Sequence, residues 1–448
     1  MTRAAALLAA CASCWATVAP AQVVAHRGDA ASRLLMHTLN VPYAAEVTVV
    51  IRAACSGCSW GIEGREAAAV KISVDGRYSQ HLLLSRGEDP SDYHIALGAF
   101  EPGRHALRID LDPDLSAPHV GSVSVSVVSV EASVGTQTET PDFTALSRAP
   151  ILYARRNTVG RFTDLPILMW YEIVATPRGR QFRYSVIFTN EDGGTPTDRL
   201  MATWGRTTDI EFVYSVELDP DGATIAEEYQ GAGHEVPKFA GRHEGRHPLL
   251  WVATDNNMVS DAGTTTIRYR LAPERFDLSD VSREAVMDAR PWTYRLAAEE
   301  TAREGKIQND AAPGSGKIPD PRSFVIIEAC SELENAALAF SVHVKDAGGG
   351  ARWYDADRGL PDFRIARTGC FRGAVSLPPE SGRPDAIRFR AFRRLRQAGG
   401  EQTRVAVNLT HVNKVFMLGP GYAPRDSMFT WIGWLPLPID GEWRELAF

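Results

Sequence analysis

Residues 207–219 read TTDIEFVYSVELD. Apolar and aromatic side chains recur at every second position from Ile210 to Leu218, which is the period of a β-strand with one buried face. On strict alternation, Asp209 and Glu211 lie together on the opposite face, roughly 7 Å apart along the strand. The stretch therefore predicts a strand that presents two carboxylates side by side.

The same two-residue period recurs in short runs through the first part of the chain. Residues 47–51, 70–74, 107–111 and 123–127 alternate apolar with polar side chains, and turn residues separate the runs. Several such runs predict an antiparallel β-sandwich, which we place at residues 22–133.

Three features of this region carry a family resemblance: residues 93–98 (YHIALG), residues 102–105 (PGRH) and the closing valine–serine ladder. In these features it resembles the accessory β-sandwiches attached to bacterial carbohydrate enzymes. The resemblance implies a module that binds glycans or packs against a neighbouring domain.

The remainder of the chain is again rich in strand patterns. Residues 134–142 are polar and lack periodicity, which predicts a linker before a main β-rich domain at 143–448. A short helical insertion is expected at 279–304, interrupted at Pro291, and the loop at 306–322 is a possible subdomain break. The predicted fold class is mainly β: an N-terminal antiparallel β-sandwich followed by a larger β-sandwich or jelly-roll-like domain.

The N-terminus has the pattern of a cleavable export signal. A positive start is followed by an apolar, alanine-rich run and small residues, which predicts a signal peptide at residues 1–21. An alternative interpretation is a lipoprotein anchored through Cys11. No later segment is long and apolar enough for an integral membrane span. We therefore expect a periplasmic or secreted protein.

Charge and cysteine content narrow the function further. The formal net charge of -7 at pH 7 argues against a nucleic-acid partner. Four cysteines remain after signal cleavage, and in an exported protein they predict two disulfides, Cys55–Cys58 and Cys330–Cys370. A redox pair or half of a zinc site is the alternative for the first pair.

Asp209 and Glu211 are the candidate catalytic residues. Enzymes that hydrolyse glycosidic bonds use two carboxyl groups about 5 to 9.5 Å apart, and the strand spacing falls in this range. Glu211 is expected to donate a proton to the leaving oxygen, while Asp209 acts as a base or stabilises charge. The alternative is an ordinary solvated strand face.

Residues 207–212 also resemble the catalytic strand of laminarinase- and lichenase-type β-glucanases, which read Glu-x-Asp-x-Glu on a jelly roll. The resemblance implies that Asp209 matches the middle carboxylate and Glu211 the acid/base. Thr207 occupies the nucleophile position, and threonine cannot form the glycosyl ester of a retaining mechanism.

Four further residues are candidates for substrate binding, because aromatic rings stack on sugars and polar side chains bond hydroxyl groups. They are Trp204, Arg206, Asn257 and His243. For Trp204, burial in the core of the sandwich is the alternative.

Residues 243–247 (HEGRH) have the letters of the zinc-protease motif H-E-x-x-H. That motif requires a helix, and Gly245 and Pro248 disfavour one here. A metal-dependent hydrolase remains an alternative, and it requires at least three side chains from this region to converge on one ion. The candidates are His234, Glu235, His243, His247 and Asp255.

An oxygen-rich loop follows at residues 254–263 (TDNNMVSDAG). Asp255, Asn256 and Asp261 are candidate calcium ligands, since calcium prefers carboxylate and amide oxygens. Asx-rich turns without metal produce the same pattern.

Together these patterns predict an exported protein that binds or cleaves a polysaccharide or cell-envelope glycan, as a candidate glycoside hydrolase with paired carboxylates. A non-enzymatic envelope binding or structural protein is the alternative, and a metal-dependent hydrolase is a further one.

Overall fold

The computed structural model describes residues 23–25, 33–135, 140–191, 193–345, 350–379, 381–394, 406–439 and 441–448. The predicted signal peptide and Cys11 lie outside the described residues. Antiparallel sheets dominate and helices are few, so the predicted mainly-β class is confirmed. The described helices all fall short of the length and apolar character that a bilayer crossing requires.

Among the described residues, the first eight strands form a β-sandwich of two four-stranded antiparallel sheets, ordered β1-β8-β3-β6 and β2-β7-β4-β5. Val47, Val49 and Ile51 alternate along β3 and are buried between the sheets. The strands are β1 Val23–Ala25, β2 Arg33–Val41, β3 Ala45–Cys55, β4 Ala69–Val74, β5 Arg77–Leu83, β6 Ser91–Phe100, β7 Gly103–Asp112 and β8 Val123–Ser133.

The middle of the chain combines shorter strands with the α-helices. The helices are α1 Pro141–Ser147, α2 Thr197–Trp204, α3 Ala285–Ala289 and α4 Trp292–Arg303. The strands are β9 Ile151–Tyr153, β10 Pro166–Thr176, β11 Gly179–Phe188, β12 Asp209–Leu218, β13 Thr224–Tyr229, β14 His243–Glu244, β15 His247–Val252, β16 Val259–Ser260, β17 Arg268–Tyr269 and β18 Glu274–Arg275.

These strands form a sheet ordered β13-β12-β11-β10-β18 and a smaller one ordered β14-β15-β9-β17, with β16 paired to β15. Phe182 and Tyr184 of β11 share a buried core with Leu250 of β15, which places the two sheets face to face. The other side of the larger sheet packs on α3, where Ile210 and Met287 belong to one buried cluster.

The last eight strands of the described chain form a second sandwich, with sheets ordered β22-β19-β24-β25 and β21-β20-β23-β26. No strand of these described sheets pairs with a strand that precedes the loop at 306–322. The strands are β19 Phe324–Glu334, β20 Ala336–Lys345, β21 Ala351–Asp355, β22 Gly369–Ser376, β23 Pro384–Arg393, β24 Ala406–Met417, β25 Phe429–Pro436 and β26 Arg444–Ala447.

The first helix of the predicted insertion is shorter than expected. Residues 279–284 form turns, and only α3 follows before Pro291 and α4. The backbone amide of Ser279 donates to the side chain of Asp277 (3.1 Å), and that of Ser282 donates to Glu328 (2.7 Å). Such side-chain bonds offer the backbone an alternative to helical pairing.

The predicted linker ends earlier than expected. Thr140 caps α1, its side chain accepting a bond from the amide of Phe143, and the helix begins at Pro141. Residues 136–139 lie outside the described residues.

Both predicted disulfides are present. Cys55 and Cys58 close a tight loop at the end of β3. Cys330 and Cys370 face each other across the antiparallel pair β19 and β22. Each bond therefore fastens a strand of one of the two outer sandwiches.

Buried polar contacts join the first sandwich to the middle of the chain. His247 bonds Glu46 (3.2 Å), and Arg270 donates to the carbonyl of Leu97 (3.1 Å) and forms an ion pair with Glu244. Gly98 has a φ of +95°, and a Cβ there would collide with the guanidinium of Arg270. The first sandwich is thus packed firmly against its neighbour.

Candidate active site

Asp209 and Glu211 begin β12, as the sequence predicts, but they are buried rather than solvated. Asp209 pairs across the ladder with Phe188 of β11, and Glu211 pairs with Val186. Because cross-strand partners point to the same side of a sheet, both acids lie on the face that carries the core between the two middle sheets. Asp209 is 2% exposed and Glu211 9%.

This arrangement corrects the predicted division of the strand into two faces. Tyr184 of β11 pairs with Tyr214, but the next residue of β11 pairs with Phe212, so Val213 is an extra residue in β12. Such a β-bulge reverses the alternation of side chains beyond it. Asp209 and Glu211 therefore share a face with Tyr214 instead of opposing it.

Asp209 has a hydrogen-bond donor and a more distant cation beside it. Asn257 Nδ2 donates to Asp209 Oδ2 (2.9 Å), and Arg206 Nη1 lies 3.8 Å from Asp209 Oδ1. Arg206 also bonds Glu284 (3.2 Å), so its charge is shared. Burial raises the pKa of Asp209, and the charge of Arg206 and the Asn257 bond only partly oppose this effect.

Asn257 is held by the Asx-rich loop that follows β15. It adopts a left-handed backbone (φ 57°), which asparagine tolerates better than most residues. Its Nδ2 also donates to the carbonyl of Asn190 (2.9 Å), while its Oδ1 is buried and lacks a hydrogen-bond partner among the described residues. Buried polar atoms are normally satisfied, so this unpartnered acceptor is a feature that a functional role would explain.

The pKa of Glu211 is raised both by burial and by a neighbouring negative charge. Burial and the negative charge of Asp209 raise the pKa of Glu211 to about 8. Gln230 Nε2 donates to Glu211 Oε2 and lies 3.3 Å from Nδ1 of His234, which is exposed. Glu211 therefore carries a proton at neutral pH and is linked to the surface through Gln230.

A third carboxylate joins the pair from the loop before α2. Glu191 accepts a bond from the amide of Thr195 (2.9 Å), and burial together with the charge of Asp209 raises its pKa to about 7. Gly194 has a φ of +106°, and a Cβ there would collide with Glu191 Oε1. We call Glu191, Asp209 and Glu211, with Asn257 and Gln230, the acid cluster.

Two predicted substrate-binding residues, Arg206 and Asn257, contact Asp209. The other two, Trp204 and His243, have their contacts elsewhere. Trp204 ends α2 and lies under the guanidinium of Arg367 (5.1 Å). His243 bonds Glu227 (2.8 Å). Thr207, which occupies the nucleophile position of the β-glucanase motif, donates to a helix carbonyl at residue 297 (3.2 Å).

The histidine-rich segment is not helical, as Gly245 and Pro248 indicated: His243 lies in β14 and His247 begins β15. His247 is bonded to the carbonyl of Ala149 (2.9 Å) and to Glu46, whereas His243 is bonded to Glu227, so the two histidines have different partners. No group of three or more His, Cys, Asp or Glu side chains in the described residues is placed to hold a metal ion.

The predicted calcium ligands serve separate neighbours. Asp255 forms an ion pair with Arg155 (2.7 Å), and Asn256 accepts a bond from Thr254 (2.7 Å). Asp261 accepts a bond from the amide of Ala240 (2.9 Å). These contacts account for the loop as an Asx-rich turn, and calcium stays a prediction from the sequence.

The sequence analysis identified the acid pair and gave His234 as a candidate metal ligand, but it did not find Gln230. Gln230 follows β13 and Glu191 follows β11, so they approach β12 only through sheet pairing. Glycines flank both segments, at positions 193–194 and at 231 and 233. Glycine-rich strand ends beside polar residues were the available signal, but it is a common one.

No protein-family model matches this chain, and no curated protein matches its sequence. Among solved structures, one described as NLPPya in complex with mannosamine shares 12% identity over 30% of this chain and 71% of its own, with a TM-score of 0.22. The EclA C-terminal domain, described as a sugar-binding protein, shares 16% identity over 26% and 80%, with a TM-score of 0.18.

An active-site mutant of a family two carbohydrate esterase from Clostridium thermocellum shares 16% identity over 25% of this chain and 31% of its own, with a TM-score of 0.16. This chain thus matches less than a third of the esterase. Similarities of this size are local, and no conclusion about function is drawn from them.

Proposed function

We propose that this protein is an exported glycoside hydrolase, in which Glu211 donates the proton to the leaving oxygen and Asp209 is the ionised partner. The observation that carries the proposal is the raised pKa of Glu211, about 8, beside a second buried carboxylate on the same face of β12. A catalytic acid must be protonated at the working pH, and a carboxyl group in water is not.

The surroundings distinguish the two roles. Asp209 accepts a hydrogen bond from the side-chain amide of Asn257 and lies near the positive charge of Arg206. Both interactions favour the ionised form of Asp209. Glu211 has no cation within ion-pair distance among the described residues, so we assign the proton of the pair to Glu211. Two residues along a strand separate the Cα atoms by roughly 7 Å, a spacing compatible with the carboxyl separations that glycoside hydrolases use.

Two side-chain amides hold the carboxyl groups of the pair in place. Asn257 fixes Asp209, and Gln230 fixes Glu211, each through a side-chain nitrogen. The unpartnered, buried Oδ1 of Asn257 is an acceptor for the proton of a carboxyl group. In this proposal Glu191, whose pKa is raised to about 7, accepts or returns a proton between turnovers.

The proposal places this activity in the periplasm or outside the cell, on a polysaccharide or cell-envelope glycan. It rests there on the signal-peptide pattern at residues 1–21 and on the two disulfides, which persist in oxidising compartments.

The test is a polysaccharide panel in which new reducing ends are measured. Glu211→Gln keeps the shape of the side chain and removes its proton, so we expect the rate on the cleaved polymer to fall by about 10²–10⁴-fold. Glu217→Gln is the matched control, because Glu217 lies on the same strand but pairs with Arg178 at its far end.

Undiminished turnover in Glu211→Gln would remove Glu211 from the mechanism. Equal losses in both variants would indicate damage to β12 instead of lost catalysis. If the wild-type protein retains polymers from the panel but cleaves none, the protein is a non-enzymatic glycan-binding protein and the hydrolase proposal is wrong.

A further inference from the structure

A cleft of about 1700 Å³ lies along the second sandwich. Its walls come from residues 319–323, 375–379, 381–384 and 424–428 and from the end of β21 at 353–355. Small-ligand pockets usually enclose about 300–1000 Å³, so this cleft is large enough for several units of a polymer. Neither Asp209 nor Glu211 contributes to it.

Charge is balanced among the described residues that line the cleft. Among the described lining residues, four arginines face four aspartates: Arg322, Arg358, Arg383 and Arg425, and Asp310, Asp320, Asp355 and Asp426. A site for a polyanion would carry a clear excess of positive charge. Balanced donors and acceptors instead suit a ligand that is itself both donor and acceptor, which is the chemistry of sugar hydroxyl groups.

Several polar groups of the cleft lack a bonding partner within the described chain. The guanidinium groups of Arg383 and Arg425 are exposed and form no hydrogen bond or ion pair within the described chain. The Ser381 hydroxyl oxygen is buried and also lacks a partner among the described residues. Arg322 and Asp320, in contrast, are bonded to each other (2.6 Å) and shape the wall.

An aromatic surface completes the cleft. Trp353 and Tyr354 lie on β21, an edge strand of its sheet. Trp353 is half-buried and held in place by Arg388, whose guanidinium carbon is 4.3 Å from the ring centroid, and by the ring of His343 (4.9 Å). A rigid indole at the edge of a polar cleft provides the apolar surface on which a sugar ring stacks.

We propose that this cleft binds a neutral polysaccharide chain and retains the polymer on the protein. The binding itself requires no catalysis. The role of this binding in supplying polymer to the acid cluster rests on the proposed function. A site for holding polymer apart from a site for cleaving it raises the local concentration of cleavable bonds.

The test is affinity electrophoresis and calorimetry with neutral xylan, mannan and β-glucan, and with polygalacturonate as an acidic polymer. We expect the protein to bind a neutral polymer in preference to polygalacturonate. Trp353→Ala should weaken that binding by about 10-fold or more. Trp434→Ala is the matched control, because Trp434 is exposed on the same sandwich but does not line the cleft.

The double variant Arg383→Ala/Arg425→Ala removes exposed side chains only, and it should also weaken binding if Trp353→Ala proves unstable. The proposal is overturned if the wild-type protein binds no neutral polymer, prefers polygalacturonate, or loses as much affinity through Trp434→Ala as through Trp353→Ala. Glu211→Gln separates the two proposals, since it should abolish cleavage and leave binding within twofold of wild type.

Discussion

Two groups of carboxylates in this protein have pKa values that are shifted in opposite directions. In the first, the acid cluster, burial and mutual repulsion raise the pKa values of Glu191 and Glu211. In the second, which we call the balanced cluster, the buried Arg372 bonds Asp288 (2.7 Å) and Glu328 (2.6 Å). Burial alone would raise the pKa of Asp288, but the charge and hydrogen bonds of Arg372 outweigh it and the pKa is lowered.

The two groups differ in how close their cations lie. Arg372 is fully buried against its acids, and Lys414 adds a bond to Asp288 (3.0 Å). Arg206, by contrast, reaches only to 3.8 Å from Asp209 and is bonded to Glu284. Buried acids that lack a close cation are a common feature of functional sites, which favours such a role for the acid cluster.

The largest expected effect comes from breaking the balanced cluster. Arg372→Met leaves Asp288 and Glu328 buried without their main cation, so we expect the free energy of unfolding to fall by about 3–5 kcal/mol. Denaturant unfolding at pH 7 measures this change. Arg178→Met is the control, since Arg178 is exposed and its pair with Glu217 should contribute at most about 1 kcal/mol.

A loss below about 1 kcal/mol in Arg372→Met would contradict the comparison, because such a loss is typical of a surface pair. Arg372 would then contribute little to the free energy of unfolding, and the contrast between the two clusters would disappear.

The opposite response is expected from Glu211→Gln. The pKa of Glu211 is raised from 4.5 to about 8 in the folded protein, so its contribution to stability is present below pH 4.5 and is lost as the pH rises through 8. One pKa unit corresponds to about 1.4 kcal/mol, and we expect the variant to gain at least about 1 kcal/mol over wild type on going from pH 5 to pH 9.

Paired denaturant titrations at the two pH values measure this gain. Glu217→Gln should not show it, because hydrogen bonds from Thr176 and Arg178 lower the pKa of Glu217. An equal pH response in wild type and Glu211→Gln would mean that Glu211 is ionised throughout, and the assignment of Glu211 as the catalytic acid would fail with it.

The period-two pattern of β12 was enough to predict the strand and the adjacency of Asp209 and Glu211. It could not predict which face they occupy, because the bulge at Val213 arises from pairing with β11. Burial of the acids depends in turn on β15, whose following loop delivers Asn257. Local periodicity carries no information about such partners.

The cleft in the second sandwich shows the same limit. Trp353 and Arg383 stand thirty residues apart, in segments with no distinctive motif, and meet only because β20 pairs with both β21 and β23. The disulfide Cys330–Cys370 was predictable because few pairings of four cysteines are possible. Sites assembled from common residue types on separate loops require the fold.

A smaller effect tests the repulsion within the acid cluster. The charge of Asp209 raises the pKa values of Glu211 and Glu191, so Asp209→Asn should lower both, by about 1 unit at Glu211. Carboxyl-carbon NMR titration of the glutamates measures the shift. Asp255→Asn should leave both values unchanged, because Asp255 is exposed and paired with Arg155.

Unchanged titration of Glu211 in Asp209→Asn would show that burial alone raises its pKa. The two acids would then act independently, and the pairing of roles proposed for them would lose its electrostatic basis.

The smallest effect concerns Lys306, which acts on the acid cluster from a distance. Lys306 lowers the pKa of Glu191 only weakly and is bonded to Glu304 (2.8 Å). Lys306→Met should therefore raise the pKa of Glu191 by a few tenths of a unit, because a solvated charge is screened, and Lys317→Met should not change it. A rise as large as the fall in Asp209→Asn would mean that Lys306 neutralises Glu191 as Arg372 neutralises Asp288. The acid cluster would then be balanced after all, and its unpaired carboxylates would no longer argue for catalysis.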